Sequence, residues 1–413
     1  MDSPLIKDVA LFLDDKPSVF ALRNKANSAL QTSGFPTPKT EAWKYTNIQN
    51  LLKTPFNINT KEESCEHKCC HSHTTNNCFI EVTFCHGKLH VEEYDTPKGL
   101  TITPLPVVLY ENEQKNYFFN SFELLKHPFA ALNGMYLEQG ICICVEKDFY
   151  SDKPVLIKYK NHHCNGEQLN IHNLIIAEKN SQLELIESFE EEADISYFTN
   201  IVNEFYLKNG ARITHYKKQK ESSKSYHIAL NAVKQYQNSR YKQFYFADGA
   251  KLSRQETLIN LLEYKAEAEV YSAYRAKKDC LTDITTNINH LTSDTYSNQY
   301  AKAVLEESST ATFQGKIHIA QNAVKTSGHQ LHKALYLNDS ATLNCKPELE
   351  IYADDVKCSH GASCGEIDKE QLFYLTSRGI DLNTASKMLI DAHLEEIFAL
   401  ITNEDIKTLL IGK

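Results

Sequence analysis

No stretch of this 413-residue sequence approaches the ~20 apolar residues that a bilayer-spanning helix needs. A basic excess is also missing: 44 Lys and Arg stand against 53 Asp and Glu, a formal net charge of −9. That balance argues against a general nucleic-acid binder, which needs a basic footprint for phosphate. The short basic stretch at Lys217, Lys218 and Lys220 has acidic neighbours and is expected to be a solvated strand face. Met1-Asp2-Ser3-Pro4 puts no basic segment ahead of an apolar core, so no secretory signal is expected. Twelve cysteines without such a signal point to free thiols in a reducing compartment, with the cytoplasm as the expectation.

The common chemical motifs are lacking too. There is no G-x-x-x-x-G-K-[ST] phosphate loop, no dinucleotide G-x-G-x-x-G, no G-x-S-x-G elbow and no H-E-x-x-H pair. A scaffold with no catalytic residues is therefore expected over a self-contained enzyme. Helical periodicity is nearly missing from residues 170–350, which disfavours a doubly wound α/β fold, because such a fold needs a helix between successive parallel strands.

What is present falls into three zones, expected as domains 1–77, 78–365 and 366–413. In the first, Leu11, Leu13, Val19, Phe20, Leu22, Ala26 and Leu30 recur near a helical period, interrupted at Pro17. Gly34-Phe35-Pro36-Thr37-Pro38 breaks the chain ahead of Trp43, the only tryptophan. A polar insert then gathers Cys65, His67, Cys69, Cys70, His71, His73 and Cys78. Its thiols and imidazoles are competent metal ligands, but the spacing fits no paired C-x-x-C site, so a surface loop with adventitious affinity stands beside a metal site.

The second zone is strand-rich, with runs such as Phe79–Phe84, Ile141–Val145 and Leu174–Ile176. A corner recurs in which turn-forming residues precede an alternating strand, at Asn180, Asn209-Gly210, Asp248-Gly249, Ser308-Ser309 and Asn338-Asp339. Gly, Asn and Asp tolerate the left-handed angles of a tight corner, and the following residues then point alternately in and out. This pattern is expected to form a mainly β fold, a parallel β-helix whose coils hold a few short strands each, with helical parts at both ends; a β-sandwich is the alternative. In the third zone Asp368 and Gln371 resemble a capping box, Gly379 suits a C-terminal cap, and a second helix begins at Asn383 or Thr384. Its apolar face is read as Ala385, Met388, Leu389, Ala392, Ile397 and Leu400, available to cap the last coil or to receive a partner.

The densest run spans Lys346 to Gly365, K-P-E-L-E-I-Y-A-D-D-V-K-C-S-H-G-A-S-C-G. Leu349, Ile351 and Ala353 alternate with polar residues, as in a strand with one buried face. If that strand continues, Cys358 and His360 share a face and offer a soft and a borderline ligand to iron or a cluster intermediate. Two ligands are too few for a closed site, so Cys364, solvent or another chain would supply the rest. Asp354 and Asp355 also invite comparison with sugar-cleaving β-helix enzymes, but strand neighbours point to opposite faces and cannot flank one glycosidic bond.

This run resembles the C-terminal signature of the SufB/SufD family, K-P-x-L-E-I-x-A-D-D-V-x-C-S-H-G-A-T-x-G followed by L-F-Y-L-x-S-R-G-I, here Leu372 to Ile380. Gly328 to Leu335 is similar to the segment that precedes it. Gly34 to Thr46, G-F-P-T-P-K-T-E-A-W-K-Y-T, is similar to the tryptophan motif on the SufD side of the family. Ser363 stands for the usual Thr, His332 for a common Asn, and Cys364 is an extra thiol. The resemblance implies a right-handed parallel β-helix and a complex with SufB and the ABC-type ATPase SufC, which carries the ATPase activity. It implies no tightly bound cofactor, only transient iron or an iron–sulfur cluster at the SufB interface near His360 and Cys358. The interface residues expected are Tyr352, Asp354, Lys357 and His360 for the related subunit, with Phe373, Tyr374 and Arg378 on the ATPase-docking helices. A homodimer of the chain alone is left open. A SufB-like subunit carrying the cluster itself and a β-helix polysaccharide-active enzyme are the alternatives.

Overall fold

The computed structural model describes residues 3–6, 16–58, 78–90, 96–111, 113–161, 164–191 and 193–411. Leu11, Leu13 and the Cys65–His73 part of the insert lie outside the described residues.

From Ile141 onward the chain winds as a parallel β-helix, and every turn adds one strand to each of two ten-stranded sheets. The first sheet ends with Thr310–Ile319 and Thr342–Ile351; the second ends with Thr326–Tyr336 and Val356–Glu366. Successive turns stack in register: Leu252 pairs with Leu281, and Leu281 with Thr310. Each coil therefore holds two strands of about ten residues rather than several short ones. The shorter reading arose because polar residues broke the apolar runs, yet many of those polar residues point inward. Asn173, Asn203 and Asn231 stack on successive turns as a ladder, with Nδ2–Oδ1 hydrogen bonds of 2.9 Å at each step. Each buried amide is satisfied by the next turn, which removes the desolvation cost of placing it there.

Lys217 corrects the expectation of a solvated basic face. Strand alternation turns it into the solenoid, where it is 1% exposed and donates to Gln255 Oε1 and His227 Nε2 at 2.9 Å. Burial pushes its pKa down to about 8, against the pull of Glu187 and Glu221. Only its neighbours Lys218 and Lys220 reach the surface, where Lys218 pairs with Glu190.

The corners explain part of the repeat. Asn180 and Gly210 have φ of 56° and 75°, and Gly249 and Ala250 follow suit on the opposite side of the coil. Lys265, Lys278, Asp294, Glu307 and Lys325 also adopt left-handed angles. Most of these corners carry no Gly or Asn, so a search for turn residues passes over them.

Helices cover both outer faces. α1 (Pro17–Ser33), α2 (Gln49–Lys53), α3 (Leu105–Glu111) and α4 (Pro128–Met135) precede the main coils. Pro17 opens α1 rather than interrupting it, since a proline at the first helical position loses no intrahelical hydrogen bond. α3 and α4 lie inside the segment expected to be strand-rich. Leu30, Phe118, Phe129 and Leu132 from this region share a buried cluster with Phe198, Val202, Tyr226 and Leu258 of the first sheet. That sheet is consequently buried on both faces, and its strands lose the in–out alternation.

At the other end come α5 (Lys369–Ser377), α6 (Leu382–Phe398) and α7 (Glu404–Ile411). The expected cap is present: Asp368 accepts from the backbone N–H of Glu370 at 2.8 Å and of Gln371 at 3.2 Å. Asp381 caps α6 through the Thr384 N–H, so the helix opens at Leu382, one or two residues earlier than expected. α6 and α7 lie across the outer face of the second sheet, burying Ile390, Leu394, Ile397, Ile406 and Leu410 against Tyr216, Phe244, Phe246 and Tyr271. The buried stripe is Ala385, Ile390, Leu394 and Ile397, whereas Met388 and Leu400 are 46% and 42% exposed. These helices therefore do not cap the last coil. Among the described residues, no helix is long and apolar enough to cross a membrane.

Candidate functional site

The solenoid ends on two strands that have no neighbour on their far side, Thr342–Ile351 and Val356–Glu366. Their residues are intermediate or exposed throughout, while the strands two turns earlier are mostly buried. A strand edge in this state offers a row of unpaired N–H and C=O groups.

Register fixes which side chains face the interior of this last turn. Gly328, Gln330, Ala334 and Tyr336 of the preceding strand pair with Cys358, His360, Cys364 and Glu366. Paired residues of parallel strands share a face, so Val356, Cys358, His360, Ala362 and Cys364 form one inward row. Cys358 packs with Leu349 and Val356 against Ile317, Ile319 and Ala353. Burial pushes its thiol pKa up, opposed by a hydrogen bond with the Gly328 backbone. His360 is exposed above Gln330, whose amide crosses the interior to the Glu348 carbonyl at 3.2 Å. Gly315 leaves the room this amide needs, since a Cβ there would collide with Gln330 Oε1. Ser359 faces outward and is held at 2.7 Å by His329 Nδ1.

The expected placement of Asp354 and Asp355 in a strand is corrected. Both lie in the bend between the two end strands, where the Asp355 carbonyl accepts from the Lys325 N–H at 2.6 Å. Tyr352 stands in the same bend, 61% exposed, with its ring 5.5 Å from that of His318; Lys357 is exposed at the strand start. Tyr352, Asp354, Lys357, Cys358 and His360 therefore belong to one rim. Phe373, Tyr374 and Arg378 belong to a different surface: α5 packs against α6, buries none of its own residues and leaves Phe373 72% and Tyr374 57% exposed. The Arg378 guanidinium lies 5.3 Å from the Tyr374 ring centre.

Sequence reasoning missed Cys345. It lies on the inward row of the first sheet's last strand and packs beside Ala334 and Tyr336. Burial and then the neighbouring Cys364 push its thiol up to about 11. The period-two pattern Leu343, Cys345, Pro347, Leu349 was the available signal. Among the described residues, no group of three or more His, Cys, Asp or Glu is arranged to hold a metal ion. The last turn thus presents thiols and one imidazole suited to a thiophilic ion, but only part of a coordination shell.

The tryptophan stretch bears on the same end. Trp43 is 4% exposed and lies over the buried Arg254 guanidinium at 4.0 Å. Arg254 in turn pairs with the buried Asp283 directly across the strands. Nearby, Glu41 accepts from Lys346 at 2.6 Å, and the Ala42 carbonyl accepts from Gln314 at 3.2 Å. The N-terminal stretch is thereby fastened to the first residues of the C-terminal run.

Comparison with known proteins gives two family matches. Residues 160–393 match the SufBD core domain of SUF system FeS cluster assembly, and residues 8–157 match the SufBD protein N-terminal region. The chain is 28% identical over 388 residues to the iron–sulfur cluster assembly protein SufD of Escherichia coli K12, covering 93% of this chain and 89% of that protein. It is 27% identical over 401 residues to protein ABCI7, chloroplastic, of Arabidopsis thaliana, covering 94% and 83%. Identity reaches 37% over 236 residues with the iron–sulfur cluster assembly SufBD family protein slr0076 of Synechocystis, a match spanning 54% of this chain and only 51% of that protein.

Proposed function

The chain belongs to the SufBD family of SUF-system iron–sulfur cluster assembly proteins, on its SufD-like side, and from this premise we propose that it is a non-catalytic scaffold in the cytoplasm that pairs through its last turn with a SufB-like subunit. The observation that carries the reading is the open last turn, where two strands each have one free edge and the second, Val356–Glu366, bears Cys358 and His360 on its inward side. A related solenoid docked there continues both sheets by main-chain hydrogen bonding. Its own donors then complete the shell that this chain fills only in part, around iron or a nascent cluster that is cargo rather than a resident cofactor. The bare face of α5, with Phe373, Tyr374 and Arg378, is the surface for an ABC-type ATPase of the SufC kind. Nucleotide-driven movement of that partner would strain the seam and admit iron or sulfur.

Two outcomes test the proposal in the co-expressed complex. His360→Ala is expected to leave assembly intact and to lower the cluster reconstituted under anaerobic conditions by at least about tenfold, since losing even an outer-shell partner weakens a metal site that much. Unchanged cluster yield removes His360 from the site. Phe373→Ser, on a side chain with little to lose in the fold, is expected to abolish co-purification with the ATPase while retaining the SufB-like subunit. Retention of both partners removes α5 from the ATPase interface. If the chain purified alone is a dimer and adding the SufB-like subunit dissolves it, the same edge serves both contacts.

A further inference from the structure

The two free edges of the last turn expose different things. In a parallel ladder the N–H and C=O of one residue face the same neighbour, and those of the next residue face the other way. On the first sheet, the N–H groups of Thr342 and Tyr352 donate to the Ser309 and Ile319 carbonyls of the turn beneath, at 2.8 and 3.0 Å. Even-numbered residues of Thr342–Ile351 are therefore committed to the solenoid, and Leu343, Cys345, Pro347, Leu349 and Ile351 face the free edge. Pro347 has no N–H to offer there, which interrupts that edge in its middle.

On the second sheet, the N–H groups of Ser327 and Leu337 donate to Thr295 and Leu305, away from the last turn, both at 3.0 Å. Even-numbered residues of Thr326–Tyr336 consequently bond the odd-numbered residues of Val356–Glu366. That leaves Val356, Cys358, His360, Ala362, Cys364 and Glu366 with N–H and C=O facing the free edge, in an unbroken row.

Native edge strands are guarded against adding a foreign strand by proline, charge, a bulge or a covering element. The first-sheet edge has two such guards, Pro347 and the outward charges Lys346, Glu348 and Glu350, which pair with Glu41 and Lys316. The second-sheet edge has none from Cys358 to Gly365. That run, C-S-H-G-A-S-C-G, contains no proline and no Lys, Arg, Asp or Glu. It pairs in continuous register with Gly328–Leu335, so no bulge turns it aside. Its residues from Ala362 onward are all exposed, and among the described residues no strand lies beyond it.

We propose that the SufB-like subunit is held by strand addition at this second edge, through main-chain hydrogen bonds to Cys358, His360, Ala362 and Cys364, while the first sheet stays interrupted at Pro347. The inference rests on the reading of the last turn as the seam and names the edge that makes it. Outward of the new bonds stand only Ser359, Gly361, Ser363 and Gly365, whose small side chains leave the approach clear. Residues paired across a sheet share a face, so alternate side chains of the added strand stand beside Cys358 and His360. The backbone register thereby places the partner's donors. A second copy of this chain, docked two-fold, would set one proline-broken edge against another, which favours the related subunit as occupant.

The test changes one backbone group in the co-expressed complex. Ala362→Pro removes an edge N–H that the chain's own ladder does not use, so the isolated variant is expected to keep its thermal unfolding midpoint. Co-purification of the SufB-like subunit is expected to fall by at least about tenfold, from one lost hydrogen bond and the bulk of the ring at the edge. Ala362→Ser, which keeps the N–H, is expected to pair as the wild type does. In the wild-type complex, amide exchange is expected to slow by at least about tenfold across 356–366, relative to the isolated chain, and by less across 343–351. Pairing that survives Ala362→Pro overturns the proposal, and so does exchange across 356–366 that the partner leaves unchanged. If Ala362→Pro dissolves only a homodimer, the edge belongs to a second copy and the proposal is again overturned. Failure of the wild-type chain to retain the SufB-like subunit at all removes the underlying reading instead. Should Ala362→Pro not fold, the exchange measurement decides.

Discussion

Arg254→Met is expected to lower the free energy of unfolding by about 3–5 kcal/mol, the range seen when one partner of a buried ion pair is removed. Arg254 and Asp283 are both fully buried on the outer face of the first sheet, side by side on adjacent strands. Without the guanidinium, Asp283 keeps only hydroxyl partners, Thr46 and Thr285. Its charge then stays in a place that water does not reach. Trp43 also loses the cation beneath its ring, and with it part of what fastens residues 41–46 to the sheet. Urea unfolding followed by Trp43 fluorescence measures both, since this is the only tryptophan. The double variant Arg254→Met/Asp283→Leu is expected to recover most of the loss, because an apolar pair of similar size leaves no orphaned charge. A single-variant cost under about 1 kcal/mol, the scale of a surface ion pair, removes this pair as the clamp on the N-terminal stretch.

Acid is expected to destabilise the solenoid well before the carboxylates titrate. Burial holds the His290 pKa down to about 3 and the His332 pKa down to about 4, with His318 and His393 adding to the effect, against an ordinary 6.5. His290 is enclosed by the hydroxyls of Thr295 and Ser297 at 2.8 Å, and His332 meets the Tyr274 hydroxyl at 2.7 Å. Neither ring has a carboxylate as a hydrogen-bond partner at those nitrogens. Because both folded values are depressed, the unfolded chain binds more protons between the two limits, and stability rises with pH there. Their contribution is complete above 6.5 and is lost as pH falls from 6.5 toward 3 for His290 and 4 for His332. By pH ~4 each accounts for about 3 kcal/mol, at about 1.4 kcal/mol per pH unit. Urea midpoints measured between pH ~7.5 and ~4 should fall accordingly. His332→Asn should flatten the curve by roughly half. A midpoint that does not move until the carboxylate range excludes these two rings as the cause.

The C-terminal cap at Asp368, the left-handed corners at Asn180 and Gly210, and the long run from Lys346 to Gly365 were all legible in the sequence. Each is local, since a cap, a tight corner or a contiguous signature is set by residues a few positions apart. The parallel β-helix was legible for the same reason, as a corner followed by alternation, repeated without intervening helices. The helical α3 and α4 were not, nor was the inward turn of Lys217. Where helices press on the outside of a strand such as Phe198–Leu207, both faces are buried and period two vanishes.

The sequence by itself therefore determined the winding, the capped start of α5 and the family. Only the tertiary structure decided that α6 and α7 lie on the second sheet and leave the last turn open, and that Trp43 rests on Arg254. It alone aligned Cys345 beside the row of Cys358, His360 and Cys364, and placed Cys142 next to Cys144 beneath the N-terminal helices. Those facts depend on which turn stacks on which and in what register. Such pairings join residues tens to hundreds of positions apart through backbone hydrogen bonds and packing, and no local pattern encodes them.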